Sequence, residues 1–206
     1  MGVIQEALDP VAQARAYAAG GAVAISVLTE EAYFGGSLAD LQQVGETVAL
    51  PVLRKDFILD ELQLLEARAA GAAAVLVIAR ILSLVRLLEI TREARQLGLG
   101  ALVEVHSADE LDAALSVGAT AVGVNSRDLE SFVVDLRTAE RLLPTVPPEV
   151  VAVAESGIET RRDVERMATA GADHVLVGTS VARLAQPSAA VRGLAGVPRR
   201  TRAGAA

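Results

Sequence analysis

A glycine followed by a short apolar run recurs four times along this chain, at intervals of about fifty residues. The copies are Gly21-Ala22-Val23-Ala24-Ile25-Ser26-Val27, Gly71-Ala72-Ala73-Ala74-Val75-Leu76-Val77, Gly118-Ala119-Thr120-Ala121-Val122-Gly123-Val124 and Gly171-Ala172-Asp173-His174-Val175-Leu176-Val177. Each glycine suits the left-handed position that closes a helix, and the run after it suits a buried strand. Further apolar stretches, Pro51–Lys55, Ala101–Val105 and Val150–Glu155, lie between the copies as additional strands. Helical patterns fill the gaps. Asp9–Ala19 comes first; Ser37 opens Leu38–Val48, Asp60 opens Glu61–Ala70, and Ser83 opens Leu84–Leu97. Ser107 and Glu110 form a capping box ahead of Leu111–Val117, and Asp135–Leu143, Thr160–Ala170 and Pro187–Leu194 follow.

Strict alternation of helices with nearly continuous apolar strands implies a parallel sheet with right-handed crossovers. Two strands and two helices per repeat, taken four times, give a TIM (β/α)8 barrel. A doubly wound open sheet is the alternative, and it fits less well because no Gly-x-Gly-x-x-Gly follows the first strand. The pattern supplies eight helices but seven strands. The missing strand is the first, expected before Asp9, where Val3-Ile4 leaves almost no room. The expectation is an incomplete, amino-terminally truncated barrel over residues 1–195, with a disordered tail at 196–206 rich in Gly, Ala and Arg. An incomplete barrel exposes strand edges, so self-association through the open edge is expected.

Composition narrows the function classes. Hydrophobic residues make up 52% and aromatics only 2%, so Ala, Val and Leu must fill the core. Cysteine is absent, which removes disulfide and thiolate chemistry and makes a cytoplasmic location the default. A net charge of -7 argues against a nucleic-acid partner. No apolar run is long and charge-free enough to span a membrane, and the first residues lack the regions of a signal peptide. His106 and His174 have no ligand spacing, so no metal is expected; both read as structural.

Against eighteen arginines the chain has one lysine, Lys55, and one asparagine, Asn125. Each ends an apolar strand-like run. Arginine does not titrate in proteins, so it cannot replace a lysine that must release a proton. Either biased composition has left two accidental survivors, or a proton-transferring amine and a side-chain amide mark an active site. In a β/α barrel, catalytic groups sit where strands hand over to the following loops. Those positions hold Lys55, Glu104, Asn125 with Arg127, Glu155 with Ser156, and Gly178 with Thr179. Two-residue alternation places Lys55 on the face of Leu53 and Glu104 on that of Leu102. An amine and a carboxylate held in a barrel mouth make an acid/base pair; a simple buried ion pair is the alternative. Gly157 and Gly178, at the last two strands, suit a backbone anion site, although a tight turn explains each glycine equally well.

These residues resemble indole-3-glycerol-phosphate synthase. The likeness runs from about Gly2 to Leu194 and rests on Leu53-Arg54-Lys55-Asp56-Phe57, Leu102-Val103-Glu104-Val105-His106, Gly123-Val124-Asn125-Ser126-Arg127-Asp128-Leu129, Ala154-Glu155-Ser156-Gly157-Ile158 and Leu176-Val177-Gly178-Thr179-Ser180. The resemblance implies a lyase of tryptophan biosynthesis acting on a phosphosugar, carboxyphenylamino-deoxyribulose 5-phosphate, by ring closure, decarboxylation and dehydration without a cofactor. It implies that Lys55 is the general acid on the ketone oxygen and that Glu104 serves the dehydration. Asn125 and Glu155 would position these groups, with Arg127 in the same polar ring. Ser156 would touch substrate, the Gly157, Gly178 and Thr179 amides would hold phosphate, and Phe57, Leu129 and Phe132 would wall the aromatic ring. The family also carries a Glu-x-Lys-x-x-Ser-Pro-Ser segment on its first strand, and this sequence begins just beyond it. Met1 is therefore expected to be an internal methionine of a longer protein, and turnover of the chain as given is expected to be slow. Another phosphosugar barrel, such as phosphoribosylanthranilate isomerase, and a non-catalytic barrel fragment acting only by association are the rival readings.

Overall fold

A computed structural model describes residues 8–202. Val3 and Ile4, the expected remnant of a first strand, lie outside the described residues. Helix α1 (Pro10–Gly20) is followed by β1 (Ile25–Leu28), α2 (Leu38–Thr47), β2 (Val52–Lys55), α3 (Glu61–Ala69), β3 (Ala74–Ile78), α4 (Leu84–Gln96) and β4 (Gly100–Val105). Then come α5 (Ala108–Ser116), β5 (Ala121–Asn125), α6 (Arg137–Leu142), β6 (Val151–Glu155), α7 (Arg161–Ala170), β7 (His174–Leu176), α8 (Thr179–Ala182) and α9 (Pro187–Leu194). Short 3-10 turns cover Ala79–Ile81 and Leu143–Thr145. The strands form one seven-stranded sheet in chain order, β1 to β7, with parallel pairing. Order, alternation and parallel pairing are those of a (β/α)8 barrel with seven strands among the described residues.

The repeated glycine has a single structural job. Gly21, Gly71, Gly118 and Gly171 all adopt positive φ, between 76° and 104°, just past a helix. In each copy the next amide reaches back over the last turn, as Ala22 N does to Tyr17 O and Ala172 N to Met167 O, both near 3 Å. That is the Schellman closure, which a residue with a Cβ enters only with strain. The chain is thereby turned directly into the next strand. Helix starts obey the same local chemistry. Asp60 with Gln63 and Thr160 with Asp163 form reciprocal capping boxes at α3 and α7.

Two expectations are corrected. The described residues contain nine α-helices, not eight; the additional one is α8, four residues long and too short to show a periodic pattern. The tail also behaves differently over its described part. Arg202 is 7% exposed, and its guanidinium donates to Gly171 O, Val150 O, Pro147 O and Asp173 Oδ2. Composition alone predicts a disordered Gly/Ala/Arg tail, but a planar fork that meets three carbonyls and a carboxylate is held in place.

The chain divides into two compact units. The first takes in the chain through Leu76, Arg92–Ala101 and Thr179–Ala195; the second comprises Val77–Thr91, Leu102–Gly178 and the segment from Gly196. In the first, β2 pairs with β1 (Ser26 beside Leu53, Leu28 beside Lys55) and with the start of β3. In the second, β4, β5, β6 and β7 pair in succession. Its core is built of small apolar side chains, with Val103, Val105, Val122, Val124, Ala152 and Ala154 all buried. Strands covered on both faces leave no solvated side for a polar group, so each buried polar residue on them needs a reason.

Candidate active site

In the first unit the candidate residues lie at the end of β2. Arg54 is buried, and its guanidinium binds outward groups: Thr29 Oγ1 at 3.1 Å, Asp56 Oδ2 at 2.9 Å, Gln63 O at 2.6 Å and Glu66 Oε2 at 3.2 Å. Gln63 and Glu66 belong to α3, so Arg54 faces the helix layer. Alternation then turns Leu53 and Lys55 to the opposite, inner face. Lys55 is half-buried there. Thr29 Oγ1 also donates to Asp56 Oδ2 at 2.6 Å, tying the ends of β1 and β2 together. The loop beyond is clamped by one side chain. Gln63 Oε1 accepts from Leu59 N and Asp60 N, and Gln63 Nε2 donates to Phe57 O. Phe57 leaves this loop partly exposed, its ring 6.4 Å from that of Phe34.

In the second unit three consecutive strands each deliver a buried polar group near their carboxyl ends. Glu104 on β4 is 1% exposed, Asn125 on β5 is 7% exposed, and Glu155 on β6 is 2% exposed. Register sets them in rows, with Glu104 beside Gly123 and Asn125 beside Glu155. Gly123 is the enabling residue. A Cβ there would collide with Glu155 Oε1, so the carboxylate occupies the space that this strand leaves bare, in the row of Glu104. Two carboxylates are thus held out of water around a glycine.

Loops after these strands carry the remaining candidates. Asn125 Oδ1 accepts from Arg127 N at 2.9 Å, closing a turn, and the Arg127 guanidinium reaches Phe132 O at 3.3 Å. Asp128 Oδ1 accepts from Glu130 N, Ser131 N and Ser131 Oγ, which holds its carboxyl down at about 2. Leu129 is half-buried and Phe132 exposed, the latter at φ 59°. Ser156 at φ 65° and Gly157 at φ 75° turn the backbone sharply after β6. A serine in the left-handed region is held there against its own preference, a state concentrated at functional positions. Gly157 is doubly required, since a Cβ would meet Val134 and Leu136. Gly178, after β7, has open space around it, and Thr179 opens α8.

Sequence reasoning missed three residues that shape the site: Arg54, Gly123 and Glu110. The spacing predicts that Glu110 completes a capping box with Ser107. Ser107 does cap α5 through Glu110 N, but the Glu110 carboxylate reaches past it to His106 N at 2.7 Å.

Fold and strand-end chemistry together define a (β/α)-barrel enzyme. The family model described as indole-3-glycerol phosphate synthase matches residues 1–194. Proteins of that name from Nocardioides sp. and Desulfosudis oleivorans are 51% and 48% identical over 92% and 88% of this chain, covering 73% and 69% of their own lengths. The counterpart from Dehalococcoides mccartyi is 47% identical over 94% of the chain and 76% of its own length. The chain belongs to the indole-3-glycerol phosphate synthase family, carboxy-lyases of tryptophan biosynthesis. Solved structures bear on the fold alone. Thiamine phosphate pyrophosphorylase from Pyrococcus furiosus superposes with TM-score 0.69 at 19% identity, over 89% of this chain and 86% of that one. 3-Hexulose-6-phosphate synthase from Salmonella typhimurium also gives 0.69, at 18% identity over 82% of this chain and 83% of that one.

Proposed function

We propose that Lys55 and Glu104 carry the chemistry of the family's reaction in this chain. Carboxyphenylamino-deoxyribulose 5-phosphate is cyclised, loses carbon dioxide and then loses water. Ring closure removes aromaticity for a moment as the aromatic carbon attacks the ketone and negative charge develops on its oxygen. The Lys55 ammonium delivers a proton there, lowering the barrier where charge appears. Loss of water needs a proton given to the departing hydroxyl and another taken from nitrogen or carbon, and Glu104 serves that exchange. Asn125 and Glu155 position these groups and the sugar hydroxyls, and Arg127 belongs to the same polar ring. Ser156 contacts substrate, the Gly157, Gly178 and Thr179 amides take the phosphate, and Phe57, Leu129 and Phe132 wall the anthranilate ring.

The burial of Glu104 and Glu155 near the ends of adjoining strand pairs carries this reading. Two carboxylates held away from water weaken a fold, and a scaffold acting only by association has no use for them. The test is Lys55→Arg, which keeps the charge and removes the usable proton. We expect turnover to fall by about 10²–10⁴-fold with the fold intact. Retention of full indole-glycerol-phosphate formation by Lys55→Arg would refute the assignment.

A second reading concerns assembly. Among the described residues β1 is an end strand that pairs with β2 alone, and Ser26 within it and Val23 just before it are exposed. An unpaired parallel edge favours self-association. Sedimentation showing a concentration-independent monomer would remove this reading without touching the catalytic one.

A further inference from the structure

His106 stands just past β4, two residues beyond Glu104, with its side chain only 3% exposed. Both ring nitrogens face carboxylates. Nδ1 lies 3.1 Å from Glu110 Oε2, and Nε2 lies 3.4 Å from Glu104 Oε1. The second contact is within ion-pair range but outside hydrogen-bond geometry, and Nε2 makes no hydrogen bond. Glu110 is anchored from the other side as well. Its Oε1 accepts from Arg80 Nε at 2.8 Å, and Arg80 Nη1 lies 3.6 Å from Asp128 Oδ2. Burial alone would raise the Glu110 carboxyl, but hydrogen bonds from the His106 ring, Arg80 and the His106 amide outweigh it and bring it to about 2.

An ionised carboxylate only accepts, so the hydrogen between Glu110 and the ring belongs to Nδ1. That assignment leaves Nε2 for Glu104 in every protonation state. In the neutral ring Nε2 offers a lone pair to a protonated Glu104; in the cation it offers a proton to an ionised Glu104.

We propose that His106 is the positioning residue for Glu104: Glu110 locks Nδ1–H, and Nε2 orients the Glu104 carboxyl and exchanges one proton with it. When Glu104 is ionised the proton resides on Nε2; for Glu104 to act as acid, the proton crosses from Nε2 to Oε1 and leaves the carboxyl protonated and the ring neutral. No other bond forms or breaks, and the charge of the pair is unchanged. The Asp128–Arg80–Glu110 chain keeps the ring from rotating away. This rests on Glu104 being the acid/base group of the dehydration.

Two measurements test it. The chain has two histidines, so ¹⁵N NMR of the imidazoles, with His174→Gln for assignment, reads the His106 tautomer directly. The neutral ring is expected to carry its proton on Nδ1, and Glu110→Gln is expected to release that preference. A neutral ring protonated on Nε2 in the unsubstituted protein overturns the proposal. In steady-state kinetics His106→Asn is expected to lower kcat roughly tenfold to a hundredfold. KM should stay within about twofold, the kcat–pH profile should shift, and His106→Asn should add nothing in a Glu104→Gln background. If Glu104→Gln abolishes turnover while His106→Asn leaves kcat and its pH profile unmoved, the positioning role falls and the Glu104 assignment survives. If Glu104→Gln keeps full turnover, the assignment of Glu104 itself falls, and the proposal with it.

Discussion

Gly123 shows how much one absent atom can decide. Its neighbours in the register are Glu104 on β4 and Val153 on β6, and the space a Cβ would fill is taken by the Glu155 carboxylate. Gly123→Ala is therefore expected to push Glu155 aside. The overpacking costs about 1–3 kcal/mol of stability. Turnover should fall by at least about tenfold, because a small displacement of a site group is felt strongly in the rate. Thermal melts and steady-state assays check the two halves separately; unchanged turnover would mean that the position of Glu155 is irrelevant. Lys55, Glu104, Asn125 and Glu155 were legible in the sequence because charged or amide groups at the ends of apolar strands are conspicuous. Gly123 was not, since it sits inside an ordinary apolar run and its meaning depends on a side chain thirty-two positions away. Arg54 was hidden for a similar reason: beside Lys55 it reads as one more arginine. Arg54→Lys should destabilise by roughly 2–3 kcal/mol, since a point charge cannot meet the Asp56 carboxylate, the Thr29 hydroxyl and the Gln63 carbonyl together.

At the level of the elements, the glycine repeat fixed both where helices end and where strands begin, because a left-handed closure is a local event readable from a few residues. The element left out of the helix count, α8, is four residues long and shows in the sequence only as a short helical turn after Gly178. The Ser107–Glu110 spacing predicts a capping box, and only half of it forms. Spacing identifies which side chains can reach an amide; which amide the carboxylate takes depends on Arg80 and on the His106 ring, neither visible from the local motif. That choice has a pH signature. Glu110 falls from its ordinary 4.5 to about 2 in the folded chain. A depressed carboxylate contributes stability that is fully present above its unfolded value and is lost as pH falls through the folded one. Stability should therefore decline as pH is lowered from about 4.5 toward 2, and Glu110→Gln should flatten that decline while costing about 1–2 kcal/mol at neutral pH. Urea melts across this range read both effects, and an equally steep acid loss in Glu110→Gln would exclude Glu110 as its source.

Across the whole molecule, each compact unit is assembled from three separate stretches of chain, so the described segment from Gly196 to Arg202 completes a unit begun far upstream. Arg202 is the agent of that return in the second unit. Its guanidinium joins carbonyls of Pro147, Val150 and Gly171 to the Asp173 carboxylate, whose other oxygen is held by Arg199 at 3.0 Å. Gly171 serves twice, giving φ 104° for the closure of α7 and leaving room for the Arg202 side chain, which a Cβ would strike. Flexible-tail composition concealed this, because nothing in Gly, Ala and Arg content says that one arginine meets four oxygens. Truncating Arg202 to alanine removes the guanidinium donors from those oxygens, of which Asp173 Oδ2 keeps Ala152 N and Pro147 O keeps Val150 N, and should cost about 3 kcal/mol. For a chain of this length that corresponds to a fall in Tm of roughly 6–12 °C. Burial alone would raise the Asp173 carboxyl, but bonds from Ala152 N, Arg202 and Arg199 outweigh it and leave it below the ordinary 3.8. Its contribution is present above that value and is lost as pH falls through the lowered one. Arg202→Ala should thus remove part of the acid sensitivity along with the neutral-pH stability, whereas Arg199→Ala, with its side chain 74% exposed, should change either by less than about 1 kcal/mol. A pair of melts in which the two alanine variants lose the same stability at neutral pH would show that burial of the fork does not set its worth.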